Sequence, residues 1–209
     1  MRGYLEAGHE GVLDRDDAWT ASLLEEVAVL QHVVDDLAVL AEADAGRLRL
    51  HRTEAAVVAT VDAALLAHRA TAAAESVELA RTGVTVAVLR HDPVRVRQVV
   101  SNLVANAIRH SPADGTVTVD VQVAGEGSER GVVIEVGDEG DGIAPDDLLR
   151  VFERFYRADP SRTRATGGSG LGLAIVQQLV EAHGGMVAAR NRADRGAVFT
   201  VWLPAGPAE

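Results

Sequence analysis

Several short stretches of the sequence combine residue types that bind phosphates, metal ions and bases. One of them is "GGSGLGLAIV", residues 167–176, in which glycines stand just before an apolar helical pattern. Glycines there let backbone N–H groups approach an anion, and a helix N-terminus adds partial positive charge. Turns and helix starts also collect glycine, so a purely structural role stays open. A dinucleotide fingerprint or a P-loop is not supported, because no strand precedes Gly167 and no Gly-Lys-Ser/Thr follows.

The stretch "NLVAN" places two amides four residues apart. Asn102 and Asn106 therefore project from one face of a helix that is predicted to begin at Pro93. An asparagine carbonyl is a hard oxygen donor that suits Mg²⁺, which keeps several waters and bridges phosphates. The alternative is a pair of buried amides that the backbone satisfies. Arg109 lies one turn further along and is placed to donate to a phosphate oxygen.

The stretch "DEGDGI" puts a carboxylate at the end of a predicted strand. Asp138 in that position can accept a hydrogen bond from an exocyclic amine such as that of adenine. Gly140 and Gly142 allow a ring to lie close against the backbone. An EF-hand calcium loop is not supported, because the bidentate acid that it needs is missing at the required offset.

The elements that must position these residues follow from hydrophobic periodicity. A helix from Trp19, ended by Gly46, carries an apolar seam at the heptad period, which predicts a partner helix. The seam residues are Leu23, Val27, Leu30, Val34, Leu37 and Ala41. Beyond it the pattern predicts strands at 47–53, 84–90, 115–125, 131–140, 185–191 and 196–204, and helices at 54–75, 93–111 and about 170–183. This order indicates a two-layer α/β sandwich with a mixed sheet.

Composition excludes several classes of function. The 209 residues carry a formal net charge of −11, which opposes binding to nucleic acid or to an anionic membrane surface. Cysteine is absent, so disulfides and thiolate metal sites are excluded. We predict no membrane-spanning segment and no secretory signal in this chain, and a cytoplasmic location.

Taken together and in this order, the stretches are more specific than any one of them. With "FERFYR", Phe152–Arg157, they resemble the N, G1, F and G2 boxes of the sensor histidine kinase ATP-binding domain, the kinase branch of the GHKL (Bergerat) fold. The resemblance implies a truncated dimerisation and phosphoacceptor helical hairpin over residues 1–45 and a catalytic ATP-binding domain over 46–209. It also implies ATP and Mg²⁺ as cofactors, phosphoryl transfer to histidine in two-component signalling, a homodimer through the N-terminal helices, and a response regulator receiver domain as partner.

The resemblance assigns roles to individual residues. Asn106 would hold Mg²⁺ with support from Asn102, Arg157 would meet the terminal phosphate, and residues 158–169 would form a mobile ATP lid. The nucleotide-binding set would be Asn102, Asn106, Arg109, Asp138, Gly140, Gly142, Ile143, Phe155, Gly168, Gly170, Leu171 and Gly172. Relatives that hydrolyse ATP carry a glutamate where this chain has Asn102. Because an amide is no general base, transfer is favoured over hydrolysis. Ala197 replaces the usual Ser or Thr, which predicts reduced nucleotide affinity.

The histidine that would accept the phosphoryl group is not evident. His9 has an acid beside it, but the glycines in "GHEG" favour a turn rather than a helix. We therefore predict a loop histidine, with the acceptor upstream of Met1 or on a second chain, as in a longer inner-membrane sensor or a split kinase. Two alternatives stay open: an anti-sigma-type serine kinase of the same fold, and a nucleotide-binding regulatory module without transfer activity.

Overall fold

The computed structural model describes three stretches of the chain: residues 17–126, 130–157 and 169–205. Its helices are α1 (Asp17–Asp44), α2 (Val57–Ala74), α3 (Pro93–His110), α4 (Pro145–Leu148) and α5 (Gly172–Ala182). Its strands are β1 (Thr53–Ala56), β2 (Glu78–Gly83), β3 (Val88–His91), β4 (Thr116–Ala124), β5 (Gly131–Gly137), β6 (Met186–Asn191) and β7 (Ala197–Pro204). His9 and Gly168 lie outside the described residues.

The main sheet has five strands in the order β2-β4-β5-β7-β6. β2 runs parallel to β4, and the remaining neighbours are antiparallel, so the predicted mixed sheet is confirmed. Val117, Val119 and Val121 alternate with polar residues along β4 and are fully buried. One face of the sheet is therefore core, and the other carries the polar positions of the strands. β1 and β3 form a separate antiparallel pair.

Helices α2, α3 and α5 form the second layer, with α3 in contact with both of the others. The apolar residues of α3 recur at helical spacing and are buried: Val96, Val99, Val100, Leu103, Val104, Ala107 and Ile108. A stripe of this kind holds a helix against a sheet. The two-layer α/β sandwich expected from the sequence is confirmed, and α3 forms its centre.

α1 buries a different face from the predicted seam. Val34 in the seam is 64% exposed, whereas Asp36 is 1% exposed and Val39 and Leu40 are buried. The buried face packs at α5, so α1 contacts the sandwich with one side and presents its heptad seam on another. A helix with two apolar faces is suited to a second partner along the open one.

Helix α1 ends as the sequence indicates. Gly46 adopts a φ of +62°, and its N–H donates to the Ala43 carbonyl at 2.9 Å. The Arg47 N–H donates to the Glu42 carbonyl at 2.8 Å. These two bonds satisfy carbonyls that a helix end would otherwise leave open, and the left-handed backbone they require favours glycine.

Three of the sequence predictions are wrong in detail. Residues 47–53 were expected to form a strand from the alternation of arginine and leucine, but only Thr53 lies in one, because nothing pairs with the rest. The helix expected from residue 54 begins at Val57, since residues 54–56 pair with β3. The strand expected over 84–90 is limited to β3, and β2, which sequence analysis missed, lies before it. β2 lacks a clean alternation of its own and is defined by parallel pairing with β4.

The linker between α1 and β1 is attached to the sandwich at two points. The His51 N–H donates to Asp92 Oδ2 at 2.8 Å, and Arg52 Nη2 donates to the Ala182 carbonyl at 2.8 Å. Asp92 is also the N-cap of α3, where Oδ1 accepts from the N–H groups of Val94 and Arg95. One carboxylate therefore caps a helix and holds the linker, which joins α1 to the start of α3.

A buried histidine supports the same carboxylate residue from behind. The Asp92 N–H donates to Nε2 of His183 at 3.2 Å, and Nδ1 of His183 donates to the Leu179 carbonyl at 2.7 Å. Because Nε2 accepts, the imidazole is neutral. Burial is the main cause that lowers the pKa of His183. Burial alone would raise the pKa of Asp92, but the hydrogen bonds from His51, Arg95 and Val94 bring it below its usual value.

Among the described residues, α2 is the one helix that is long and apolar enough to cross a membrane. Its buried positions include Val57, Val61 and Ala64, and it packs against α3. The core helix of a globular domain meets the same criteria of length and composition, so this helix is weak support for a membrane span.

Candidate active site

Asp138 lies immediately beyond β5 and is 3% exposed. Its Oδ1 accepts hydrogen bonds from the Gly140 N–H at 2.8 Å and the Ala197 N–H at 3.2 Å. The Asp138 N–H in turn donates to the Ala197 carbonyl at 3.0 Å. Both side-chain bonds go to the same oxygen, so Oδ2 keeps its capacity to accept from an external donor. A buried carboxylate held in this way is suited to read the amine of a base.

The glycines around Asp138 are needed for close packing of the backbone. A Cβ on Gly140 would lie 2.3 Å from the His110 carbonyl oxygen, and one on Gly196 would lie 2.0 Å from the Asp138 carbonyl oxygen. Both distances are far below van der Waals contact, so a side chain at either position would displace backbone. Gly140 thus lets the Asp138 loop pack against the C-terminal end of α3. This is a second reason for glycine at this position, in addition to the room for a ring that the sequence suggested.

Ala197 enters the site through its main chain. Its N–H and carbonyl both bond Asp138, so the start of β7 fixes the carboxylate although the hydroxyl expected there is missing. The alanine side chain is buried. The predicted effect of the missing hydroxyl on affinity stays a prediction.

Asn102 and Asn106 lie on α3, and both are half-buried. Asn102 Nδ2 donates to the Gly172 carbonyl at 3.2 Å. Across the part of the chain that the structure describes, the Asn106 amide has no hydrogen-bond partner. One amide therefore joins α3 to α5, and the other remains available to an outside ligand. Asn102 is therefore partly explained as an amide that the backbone satisfies, whereas Asn106 is not.

The N-terminus of α5 meets the same surface. Leu171 is the N-cap residue, is fully buried, and donates its N–H to Ser169 Oγ at 3.3 Å. Among the described residues, no side chain caps the first turn of α5. The open N–H groups and the helix dipole favour an anion there. A Cβ on Gly172 would make only ordinary contacts with Asn102, so space does not require glycine at that position.

The segment before the expected lid is pinned to the segment after it. The Phe155 N–H donates to the Gly170 carbonyl at 2.9 Å. Both residues have left-handed backbones, with φ of +61° and +72°, and a Cβ on Gly170 would lie 3.0 Å from the Phe155 Cα. Phe155 is 64% exposed. The residues that flank 158–168 are thus brought together, and Phe155 is one of three described non-glycine residues with a positive φ.

The neighbouring aromatic residues anchor this segment to the sheet. The Phe152 ring packs edge-on against Phe199 with ring centroids 6.2 Å apart. The Tyr156 hydroxyl donates to Asp147, which raises the pKa of Tyr156. The Arg150 guanidinium lies 4.3 Å from the centre of the Tyr156 ring. These contacts explain Phe152 and Tyr156 of the "FERFYR" stretch as packed supports, while the ligand roles expected for Phe155 and Arg157 stay predictions.

Two guanidinium groups lie within electrostatic reach of each other near the C-terminal end of α3. Arg109 lies on α3 one turn beyond Asn106. Partial desolvation, and secondarily the positive charge of Arg157, lower the pKa of Arg109. Two like charges held within electrostatic reach repel each other until an anion neutralises them. Arg109 and Arg157 therefore bring two positive charges near each other, although the chain as a whole is acidic.

Sequence analysis named Ile143 but missed the residue that holds it. Asn191, the last residue of β6, accepts from the Ile143 N–H at 2.8 Å and donates to the Ile143 carbonyl at 2.7 Å. The only local signal in the sequence was an asparagine at a strand end, which has many other uses.

The comparisons with known proteins agree with this geometry. Residues 91–207 match the family described as "Histidine kinase-, DNA gyrase B-, and HSP90-like ATPase". The chain is 34% identical over 204 residues to the signal transduction histidine-protein kinase BaeS of Escherichia coli (strain K12), covering 98% of this chain and 43% of that protein. It is 39% identical over 184 residues to the sensor histidine kinase CusS of the same organism, covering 88% and 37%. The chain spans less than half the length of these two relatives.

A solved structure gives the same result for the fold. The Acinetobacter baumannii histidine kinase AdeS superposes with a TM-score of 0.80 at 29% identity, covering 98% of this chain and 93% of that one. The superposition includes α1 as well as the sandwich, because it covers nearly the whole chain. The likeness therefore extends beyond the nucleotide-binding layer.

Proposed function

This chain belongs to the histidine kinase-, DNA gyrase B-, and HSP90-like ATPase family, in its sensor histidine kinase branch, and on that premise we propose that it binds Mg²⁺-ATP and transfers the γ-phosphoryl group to a histidine. The observation that carries the proposal is the pairing of a buried carboxylate for the base with an open amide and two guanidiniums for the phosphates. Asp138 is buried beyond β5, Asn106 and Arg109 lie one turn apart on α3, and Arg157 lies within electrostatic reach of Arg109.

Asn106 is the proposed metal ligand. Among the described residues there is no cluster of three or more histidine and acidic side chains that could hold a metal ion. A site built from one amide oxygen suits Mg²⁺, which takes its other ligands from water and phosphates. When bound, Mg²⁺ supplies charge neutralisation to the phosphates. The unpartnered Asn106 amide fits this use.

Asn102 supports transfer rather than hydrolysis. Its Nδ2 is used in the bond to the Gly172 carbonyl, and an amide has no basic site with which to activate water. In the proposed step the bond between the γ-phosphorus and the bridging oxygen of ADP breaks, and a bond forms to a ring nitrogen of the acceptor histidine. ADP leaves with the electron pair, and the imidazole proton passes to an acid beside the acceptor. Arg157 and Arg109 offset the charge on the transferred group.

The partners follow from the branch of the family. We propose that the open seam of α1 forms a homodimer with a second copy and that the phosphoryl group passes on to a response regulator receiver domain. We place the domain in the cytoplasm, as part of a sensor that can include further segments. The acceptor is proposed to lie on a helical hairpin upstream or on a second chain, and residues 1–45 to belong to that hairpin.

A phosphoryl-transfer assay tests the proposal directly. The chain is incubated with Mg²⁺ and γ-labelled ATP, alone and with a separately supplied acceptor hairpin that carries a histidine and its neighbouring acid. We expect label on the hairpin, lost in Asn106→Ala and strongly reduced in Asp138→Asn. The Asn substitution keeps an acceptor for Gly140 and Ala197 but places an amide where Oδ2 would accept from the base.

Other outcomes would change specific parts of the proposal. Label on the chain alone that disappears in His9→Ala would make His9 the acceptor. Release of labelled phosphate without label on any protein would replace transfer by hydrolysis. Nucleotide binding with neither outcome would favour a regulatory module without transfer activity.

A further inference from the structure

One amide side chain on β6 bonds the end of the loop that follows Asp138. Asn191 accepts from the Ile143 N–H and donates to the Ile143 carbonyl, at 2.8 and 2.7 Å. Both main-chain groups of one residue are therefore satisfied by one side chain. Ile143 itself packs against the hydrophobic core. This pair of bonds fixes the far end of the loop, as Gly140 and Ala197 fix its near end at Asp138.

The same amide also sets the path of the loop at Gly142. That residue has a φ of +79°, and a Cβ there would lie 2.9 Å from Asn191 Oδ1. A side chain at Gly142 would need both a left-handed backbone and a shift of the Asn191 amide. A shift of the loop away from β6 would break both hydrogen bonds between Asn191 and Ile143. One side chain therefore fixes the end of the loop at Ile143.

Asparagine has the chemistry that this contact requires. One end of the side chain carries both an acceptor and a donor, at the separation of a main-chain N–H and carbonyl. Aspartate would keep an acceptor for the Ile143 N–H, but its second carboxylate oxygen would face the Ile143 carbonyl oxygen and repel it. Alanine would leave both main-chain groups to water. Since Asn191 is exposed, its loss leaves no buried polar group unpaired, and the fold should tolerate the change.

A second link in the same region is much weaker. Arg195, in the turn between β6 and β7, forms an ion pair with Asp141 at 3.3 Å, and both side chains are largely exposed. Exposed pairs of this kind contribute little because solvent screens them and two side chains must be ordered. The ion pair joins the same two loops as Asn191, so Arg195 provides a matched control for the amide.

We propose that Asn191 is a positioning residue that holds the Asp138–Ile143 loop in place for the base of the nucleotide and so contributes to selection of adenine. This inference rests on the proposed function and adds to it a residue outside the family's boxes. Asp138 accepts from the adenine amine, whereas guanine presents a carbonyl oxygen at that position, which a carboxylate repels. Discrimination between the two bases therefore depends on how firmly the loop is held around Asp138.

Nucleotide binding by three variants tests the inference. Equilibrium binding of Mg²⁺-ATP and Mg²⁺-GTP is measured for the wild type, Asn191→Ala, Asn191→Asp and Arg195→Ala, beside KM and kcat in the transfer assay. For Asn191→Ala we expect the Kd and KM for ATP to rise roughly 10-fold, the sum of two modest hydrogen bonds, with kcat within about 2-fold. The ratio of ATP to GTP affinity should fall. Asn191→Asp should be intermediate, and Arg195→Ala close to wild type.

Each other outcome separates the inference from the function beneath it. If the wild type binds ATP and Asn191→Ala binds it equally well, the inference is wrong and the proposed function stands. If Asn191→Ala lowers the melting temperature without changing base selection, the amide is only structural and the inference is again wrong. If the wild type binds no adenine nucleotide, both are overturned. Should Asn191→Ala fail to fold, the Asn191→Asp variant carries the same measurement, and an unchanged ATP to GTP ratio there would contradict the inference.

Discussion

The two ends of α3 differ in how completely the protein satisfies them. At the N-terminus, Asp92 accepts three main-chain hydrogen bonds and donates one to His183. Toward the C-terminus, Asn106 has no partner within the described residues, and Arg109 lies within electrostatic reach of Arg157. One end is completed by the chain itself, and the other is arranged so that a ligand completes it. A single helix thus separates the part of its length that maintains the fold from the part that we propose acts on nucleotide.

Substitution of Asn106 should give the largest effect and should appear only in function. Asn106→Ala removes the one proposed metal ligand, and we expect a loss of ~100-fold or more in transfer, with Mg²⁺ no longer increasing ATP affinity. Stability should change by less than about 0.5 kcal/mol, because no intramolecular bond is lost. Isothermal titration with and without Mg²⁺, together with urea unfolding, checks both statements. Equal Mg²⁺ dependence in the variant would remove Asn106 from the metal site.

Substitution of Asp92 should show the converse pattern. Asp92→Ala removes the cap of α3 and the acceptor for the His51 N–H, and we expect a loss of about 2 kcal/mol in the free energy of unfolding. The Kd for ATP should change by less than about 3-fold, since the cap is three turns away from Asn102. Asp92→Asn is the matched variant, because it keeps an acceptor for part of this network and should lose less. A variant that is stable but cannot bind ATP would mean that the two ends are not separate.

Substitution of Asn102 should affect both stability and nucleotide binding. It tests whether the two ends of α3 serve separate purposes. Asn102→Ala breaks the bond to the Gly172 carbonyl, and we expect about 1 kcal/mol of lost stability because α5 is less firmly held to α3. Nucleotide affinity should fall roughly 10-fold if the phosphates bind at the first turn of α5, as the proposed function requires. Asn102→Asp is the control that keeps the size of the side chain but cannot donate to Gly172. If Asn102→Ala changes only stability or only nucleotide affinity, Asn102 serves only the fold or only the binding of nucleotide.

Sequence analysis singled out polar residues that could face a ligand, and it missed residues that support them. Asn102, Asn106 and Asp138 stand out because polar residues at apolar positions or at strand ends need a reason. Asn191 was missed because its partners are main-chain groups of a residue 48 positions away, and main-chain partners leave no trace in residue types. The same cause hid β2, whose residues become a strand only by pairing with β4.

The linker at the N-terminal end of α3 shows the converse error, in which a sequence pattern predicts a strand that does not form. Residues 47–53 alternate in the manner of a strand, but the His51 N–H is taken by Asp92 and Arg52 reaches the Ala182 carbonyl. Alternation indicates which side chains can share a face and does not supply a neighbouring strand. The assignment of nucleotide-binding residues rests instead on the order of the motifs, which resembles that of histidine kinases, and it stays a prediction.

The smallest effect concerns the pH dependence of the satisfied end. The pKa of His183 is lowered, first by burial and also by the charges of Arg52 and His91, while the Leu179 carbonyl and Asp92 act in the opposite direction. Below the ordinary histidine pKa of about 6.5, His183 becomes protonated in the unfolded chain while the native imidazole stays neutral. The contribution of His183 to the free energy of unfolding should therefore be fully present above that pH. It should be lost as the pH falls toward the lowered pKa of the native state.

His68 contributes to the same slope, because burial lowers its pKa as well. We expect the urea unfolding free energy to fall between pH 7.5 and 5.5, and the fall to be smaller in His183→Gln and in His68→Gln, with the two reductions additive since the sites are separate. The ATP affinity of the wild type, corrected for unfolded chain, should change little over this range if the two ends of α3 are independent. A pH-dependent Kd that disappears in His183→Gln would show instead that protonation behind Asp92 is transmitted along α3 to the amides, and that the division between the two ends is one of degree.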